Sequence, residues 1–254
     1  MASLKSRLFV LILKLLDRKG DLKDGPTIRE TIKKRRASVD YRPGPKIHQK
    51  LDVEEMEIGG FPTYVVSPKG KKPDHHVFYL HGGAYVFEII PPHWSFIADF
   101  AHRANATIMV PIYPLAPEHD MEAALGYAEA AWKVFEARAG DQPVHLMGDS
   151  AGGGLGLALV QKLVADGARV PENLFLISPW LDVALDRAEI ELLDADDPWL
   201  SIGGLQEAGR MYANKVPISD PRVSPGLGPI EGLPPCHIFI GTRDILMPDC
   251  KRFA

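Results

Sequence analysis

Two periodicities divide the chain. Near its start, apolar residues recur at helical spacing (Leu4, Leu8, Leu11, Ile12 and Leu15) and predict an amphipathic helix. A second helical stretch comes next, and its basic run Lys33-Lys34-Arg35-Arg36 reads as a solvated face. Tyr41-Arg-Pro-Gly-Pro45 has the composition of a linker. Two β-rich runs, Leu51–Ile58 and Phe61–Ser67, flank Gly59-Gly60 and predict an antiparallel hairpin at a sheet edge.

Beyond the hairpin the rhythm changes. Short apolar strands are predicted at Val77–Leu80, Thr107–Val110, Val144–Met147, Leu174–Ile177 and His237–Ile240. Helical segments separate most of them, around Trp94–Arg103, Met121–Ala139 and Gly152–Ala165. This alternation predicts an α/β fold, a mostly parallel sheet with helices on both faces. The 254 residues suit one such domain. Reactive groups in these sheets gather beyond the C-terminal ends of the strands, so the residues just past each strand carry the functional information.

Composition adds mainly exclusions. Lys and Arg number 29 against 33 Asp and Glu, a net charge of −4, which gives no electrostatic reason to expect nucleic acid as a partner. Two cysteines, Cys236 and Cys250, are too few for a disulfide framework or a structural zinc site and read as free thiols of a reducing cytoplasm. Lys5 and Arg7 before Leu8–Leu13 superficially resemble a signal peptide. Lys14 interrupts that run, Asp17-Arg18-Lys19 closes it, and no small-residue cleavage site is nearby. No stretch approaches the ~20 apolar residues of a membrane span.

Three strand ends carry chemistry. After Val144–Met147 comes Gly148-Asp-Ser-Ala-Gly152 and a small-residue helix start, a G-x-S-x-G turn in strand–turn–helix context. It makes Ser150 the candidate nucleophile; the ordinary alternative is a glycine-rich turn with a helix-capping serine. After Val77–Leu80 comes His81-Gly82-Gly83-Ala84-Tyr85. Gly82 and Gly83 can offer unobstructed N–H groups to an oxyanion, as can Ala151 directly after the serine. A plain two-glycine turn is the alternative, and pairing with the serine turn weighs against it. After His237–Ile240 comes Gly241-Thr-Arg-Asp244, where the acid of a Ser–acid–His order is expected. Asp244 is the candidate acid, with Asp249 and Asp220 as rivals.

These segments together resemble the hormone-sensitive-lipase-like (bacterial type IV) carboxylesterases of the α/β-hydrolase superfamily. The resemblance rests on His81–Tyr85, Tyr113-Pro-Leu-Ala-Pro-Glu-His119, Gly148–Gly153, Ser178-Pro-Trp-Leu-Asp182, Asp220-Pro-Arg-Val-Ser-Pro225 and Gly241–Asp244, in that order over roughly residues 45–250. It implies hydrolysis of small carboxylic esters, often short-chain, without metal or organic cofactor. It also implies N-terminal cap helices over residues 1–45, a hydrolase core over 46–254, and a second cap segment at about 183–215. The Tyr113–His119 segment is implied to be architectural.

One family feature is missing. The base should lie past Asp244 on a later loop, yet none of the nine histidines (48, 75, 76, 81, 93, 102, 119, 145 and 237) does. His81 belongs to the oxyanion motif, His145 and His237 fall in strands, and the others read as surface or cap residues. Three explanations stand: a chain cut short of its last strand and helix, a degenerate hydrolase that binds a small molecule, or a base donated by a partner chain. The intact elbow, turn and acid favour the first. Loss of such a histidine can cost about 10⁶ in rate.

Overall fold

A computed structural model of the chain describes residues 4–15, 17 and 19–254. The N-terminal part holds α1 (Leu4–Leu15), α2 (Gly25–Arg36) and α3 (Pro45–Lys50), then the hairpin β1 (Leu51–Ile58) and β2 (Phe61–Pro68). Alternation begins there as β3 (His75–Leu80), α4 (Pro91–Ala104), β4 (Ala106–Pro111), α5 (Met121–Ala139), β5 (Val144–Asp149), α6 (Ala151–Ala165) and β6 (Asn173–Ile177). The chain continues through α7 (Ala188–Asp194), α8 (Ile202–Ala213), β7 (Cys236–Phe239) and α9 (Met247–Phe253).

The seven strands form one sheet in the order β1-β2-β4-β3-β5-β6-β7. β1–β2 and β2–β4 pair antiparallel, and every later pair is parallel. The hairpin thus lies at one edge, as its Gly59-Gly60 turn predicts. Both turn glycines have positive φ, +57° and +84°.

Alternation along β3 builds both layers. Phe78 and Leu80 join the core beneath α5 and α6, where Trp132, Phe135 and Leu155 are buried. Val77 and Tyr79 join a second core beneath α4, with Trp94 and Ile97. Each such side chain contributes about 1.5–3 kcal/mol of burial. Asp120 caps α5, accepting from the Ala123 N–H at 3.2 Å, and Asp24 caps α2 through Thr27 N–H at 2.9 Å.

Two N-terminal expectations change. Pro45 does not end a linker; it opens α3 from the first-turn position that tolerates proline. The basic run of α2 is solvated only in part. Lys33 and Lys34 are exposed, but Arg35 pairs with Asp21 and lies over the Phe87 ring at 4.9 Å. Arg36 donates to the carbonyls of Val86 and Ala116 and pairs with Glu118.

Register fixes where the functional loops meet. Leu80 lies level with Gly148, Asp149 with Ile177, and Ile177 with Phe239. The segments leaving β3, β5, β6 and β7 therefore emerge along one edge. His75, His76, His145 and His237 lie at the opposite ends of those strands.

Candidate active site

Ser150 occupies a backbone conformation that L-residues rarely adopt, with φ +50° and ψ −120°. Two hydrogen bonds hold it there: its N–H donates to Ile177 O, and its carbonyl accepts from Trp180 N–H, both at 2.9 Å. Crowding explains the small neighbours. A Cβ on Gly152 would sit 2.1 Å from Leu80 O, and one on Gly148 would sit 2.4 Å from Gly152 O. The G-x-S-x-G turn is therefore required by the close approach of β3, β5 and α6.

The turn after β3 faces this elbow. Gly83 has φ +138°, and its carbonyl accepts from the N–H groups of Val86 and Phe87. Among the described residues, the N–H groups of Gly83, Ala84 and Ala151 have no hydrogen-bond acceptor within the protein. The Gly82 N–H, expected from the sequence to be free, is not among them. It donates to Asp149 Oδ1 at 2.9 Å, and a side chain there would strike the same carboxylate. Ala84 is buried at φ +52° with its N–H free.

Asp149 gathers the polar groups behind the elbow. Besides Gly82, Tyr79 OH donates to Oδ1 at 2.5 Å and His93 Nε2 lies 3.4 Å from Oδ2. Burial pushes the Asp149 carboxyl up, but the His93 and Tyr79 contacts outweigh it and hold the group below its usual range. His93 Nδ1 accepts from Ile90 N–H at 3.1 Å, which places the ring proton on Nε2, facing Asp149. His93 is thus no surface residue; its side chain is 19% exposed.

His81 is buried, stacks on Tyr113 at 4.4 Å, and its Nδ1 lies 2.8 Å from Gly82 O. Burial and the neighbouring His93 push its pKa down to about 4, so its ring is neutral at pH 7. Tyr113 OH donates to His81 O at 2.6 Å. Tyr113 thus braces the turn after β3.

Asp244 lies past β7, partly buried. It accepts from Leu246 N–H at 2.9 Å, and burial raises its carboxyl pKa. Its rivals are engaged elsewhere. Asp220 is bound by Arg222 at 2.9 Å, and Asp249 is buried against Arg187 at 2.6 Å. Among the described residues, no histidine is hydrogen-bonded to Ser150 or Asp244.

Sheet order and the serine elbow at the crowded strand edge together define an α/β hydrolase. A profile of the alpha/beta hydrolase fold matches residues 77–254, and the chain belongs to that family. Within it the chain resembles the hormone-sensitive-lipase-like esterases. An esterase of Acinetobacter venetianus is 35% identical over 182 residues, 70% of this chain and 59% of that protein. A triacylglycerol lipase of Mycobacterium tuberculosis is 35% identical over 175 residues, 67% of this chain and 35% of the relative. A solved hormone-sensitive lipase from a metagenome library matches with a TM-score of 0.81 at 26% identity, covering 98% of this chain and 82% of that one. The chain spans 59% of the length of the first of these curated relatives and 35% of the second.

Sequence reasoning missed Asp149, His93, Tyr79 and Ala84. Asp149 stood inside the serine motif as a spacer, and Ala84 stood one step past the glycine pair. His93 and Tyr79 carry no local signal, because only the fold brings them to Asp149.

Proposed function

We propose that the protein hydrolyses carboxylic esters through an acyl-enzyme on Ser150. The observation that carries this reading is Ser150 at φ +50°, on the same sheet edge as the unpaired N–H groups of Gly83, Ala84 and Ala151. Those donors are the oxyanion hole: donors without an internal acceptor need no rearrangement when negative charge develops. Asp244 is the acid that orients the base.

Ser150 Oγ would attack the ester carbonyl while a base takes its proton; the alcohol then leaves, and water resolves the acyl-enzyme. The described histidines do not supply that base. The 254-residue chain is therefore expected to work near background, at roughly the 10³–10⁴ over water that donors and binding alone provide. A short-chain carboxylic ester is the substrate class.

The N-terminal helices and the segment at 183–215 form the cap. Arg29 pairs with Glu207 of α8, and Lys19 with Asp194 of α7. Tyr212 of α8 stacks on Tyr85 of the oxyanion turn at 3.6 Å. A cap held this way packs against the turn after β3.

The missing base favours one second reading, a degenerate hydrolase that binds a small molecule at the same edge. Turnover of p-nitrophenyl acetate and butyrate separates the two. It should be measured on the 254-residue chain, on the longest open reading frame that contains it, and on Ser150→Ala in each. The esterase reading expects brisk, Ser150-dependent turnover once a strand and histidine are present beyond residue 254. A natural stop at that point, with background rates unaffected by Ser150→Ala, leaves the binding protein.

A further inference from the structure

Helix α1 turns large apolar side chains outward. Leu8 is 59% exposed, Leu11 53%, Ile12 42% and Leu15 76%, and their spacing places them on one stripe. Leu13, on another face, is buried. An ordinary surface helix hides its apolar face and wets the other, whereas α1 buries Leu13 and leaves this stripe uncovered.

Charge says what the stripe fits. The α1 sequence contains Lys5, Arg7 and Lys14 and neither Asp nor Glu, and Lys14 is exposed. The first 36 residues hold eleven Lys and Arg against four Asp and Glu, while the whole chain is −4. Although Lys19, Arg29, Arg35 and Arg36 pair with carboxylates of the chain, Lys14, Lys23, Lys33 and Lys34 stay exposed. Such asymmetry marks a segment for an anionic partner. Nucleic acid would satisfy the charge but not four exposed aliphatic side chains. A protein partner or a second copy would satisfy the apolar stripe without calling for the excess of cations. An anionic lipid surface satisfies both.

We propose that α1 is an interfacial helix that seats the protein on anionic lipid. The stripe enters the headgroup–acyl boundary, and the basic residues meet lipid phosphates and carboxylates. The seat lies beside the α7 region. Lys19, four residues past the end of α1, pairs with Asp194 at 3.2 Å and lies 3.4 Å from the Asp197 carbonyl. Leu192 and Trp199, each two positions from one of those aspartates in sequence, are 80% and 42% exposed. Binding there would present the α7 region to lipid-dissolved molecules. The proposal does not depend on Ser150 being a nucleophile.

Flotation of the 254-residue chain with vesicles tests it. Vesicles of phosphatidylcholine alone are compared with vesicles of equimolar phosphatidylcholine and phosphatidylglycerol. Binding is expected to the anionic vesicles and not the neutral ones, and to weaken as salt rises from ~0.05 to ~0.5 M. Leu11→Ser/Leu15→Ser should cut it at least about tenfold, and Lys14→Glu severalfold, with circular dichroism unchanged. Both sites are exposed, so the fold does not depend on them, and Lys14→Glu reads the charge contribution separately. Failure of the parent chain to float overturns the proposal, as does equal binding by the Leu11/Leu15 variant. Self-association that the same variant abolishes, without lipid binding by the parent, assigns the stripe to a second copy instead.

Discussion

Asp149 Oδ1 accepts the Gly82 N–H at 2.9 Å, fastening the turn after β3 to the residue directly before Ser150. The carboxylate that leads into the elbow thereby sets the position of the neighbouring Gly83 and Ala84 donors. This bond occupies the Gly82 N–H and anchors the turn at that residue.

Removing that carboxylate should be costly. Asp149→Ala strands the Gly82 N–H, the Tyr79 hydroxyl and the His93 Nε2–H together, so a loss of about 3–5 kcal/mol is expected. Asp149→Asn keeps one acceptor oxygen and should lose about 1–2 kcal/mol. Urea unfolding of the three proteins checks the order. Equal stability of the Ala and Asn variants would show that the oxygen bonded to Gly82 contributes nothing.

Gly152→Ala tests the close approach itself. Its Cβ would meet the Leu80 and His81 carbonyls at 2.1 and 2.5 Å, and backbone atoms have no easy retreat. A loss of at least about 3 kcal/mol is expected, within the overpacking range for a rigid contact. Gly126→Ala on exposed α5 surface has nothing within 4 Å and should gain about 0.5–1 kcal/mol from helix propensity. Thermal scans that moved both variants alike would remove the steric account of the motif.

Much of this architecture is legible in the sequence because it is written locally. Strand–helix alternation marks the parallel sheet, and Gly148–Gly152 marks its crowded edge, since only small residues fit where three elements converge. Met121–Ala139 is helical as its pattern predicts, bounded in the structure by Asp120 as cap and Gly140 as stop. The bonds of Asp149 are different. They depend on Tyr79, Gly82 and His93, brought together by tertiary packing across 70, 67 and 56 positions of the chain. Arg36 likewise reads as one more basic residue of α2 until its carbonyl partners on two later loops are seen.

Asp249 should give the protein a pH signature near pH 5. Burial, with Asp182 adding to it, pushes its carboxyl up to about 6, against an ordinary value of 3.8. The native state therefore holds a proton there that the unfolded chain has released, between roughly pH 4 and 6. In that window this group makes stability fall as pH rises, by ~1–3 kcal/mol in total. Asp249→Asn removes the titration and should flatten that part of the profile. Urea midpoints measured from pH 4 to pH 7 check it: parallel profiles for the two proteins would mean Asp249 titrates normally.

The N-terminal helices are tied to the oxyanion turn through Arg36. Its guanidinium donates to Val86 O at 3.0 and 2.9 Å and to Ala116 O at 2.5 Å, and its side chain is only 20% exposed. Val86 and Ala116 lie on the loops after β3 and β4, so one side chain joins α2 to both. Charge-assisted bonds of this kind are worth about 1.5–3 kcal/mol, and a lysine cannot reproduce the planar fork. Arg36→Ala and Arg36→Lys should both lower Tm by roughly 4–8 °C in a domain of this size. Lys34→Ala, two positions away and exposed, should fall within about 0.5 kcal/mol of the parent. If Arg36→Lys melted with the parent, a point charge near Glu118 would suffice, and the carbonyl bonds would not be what holds α2 in place.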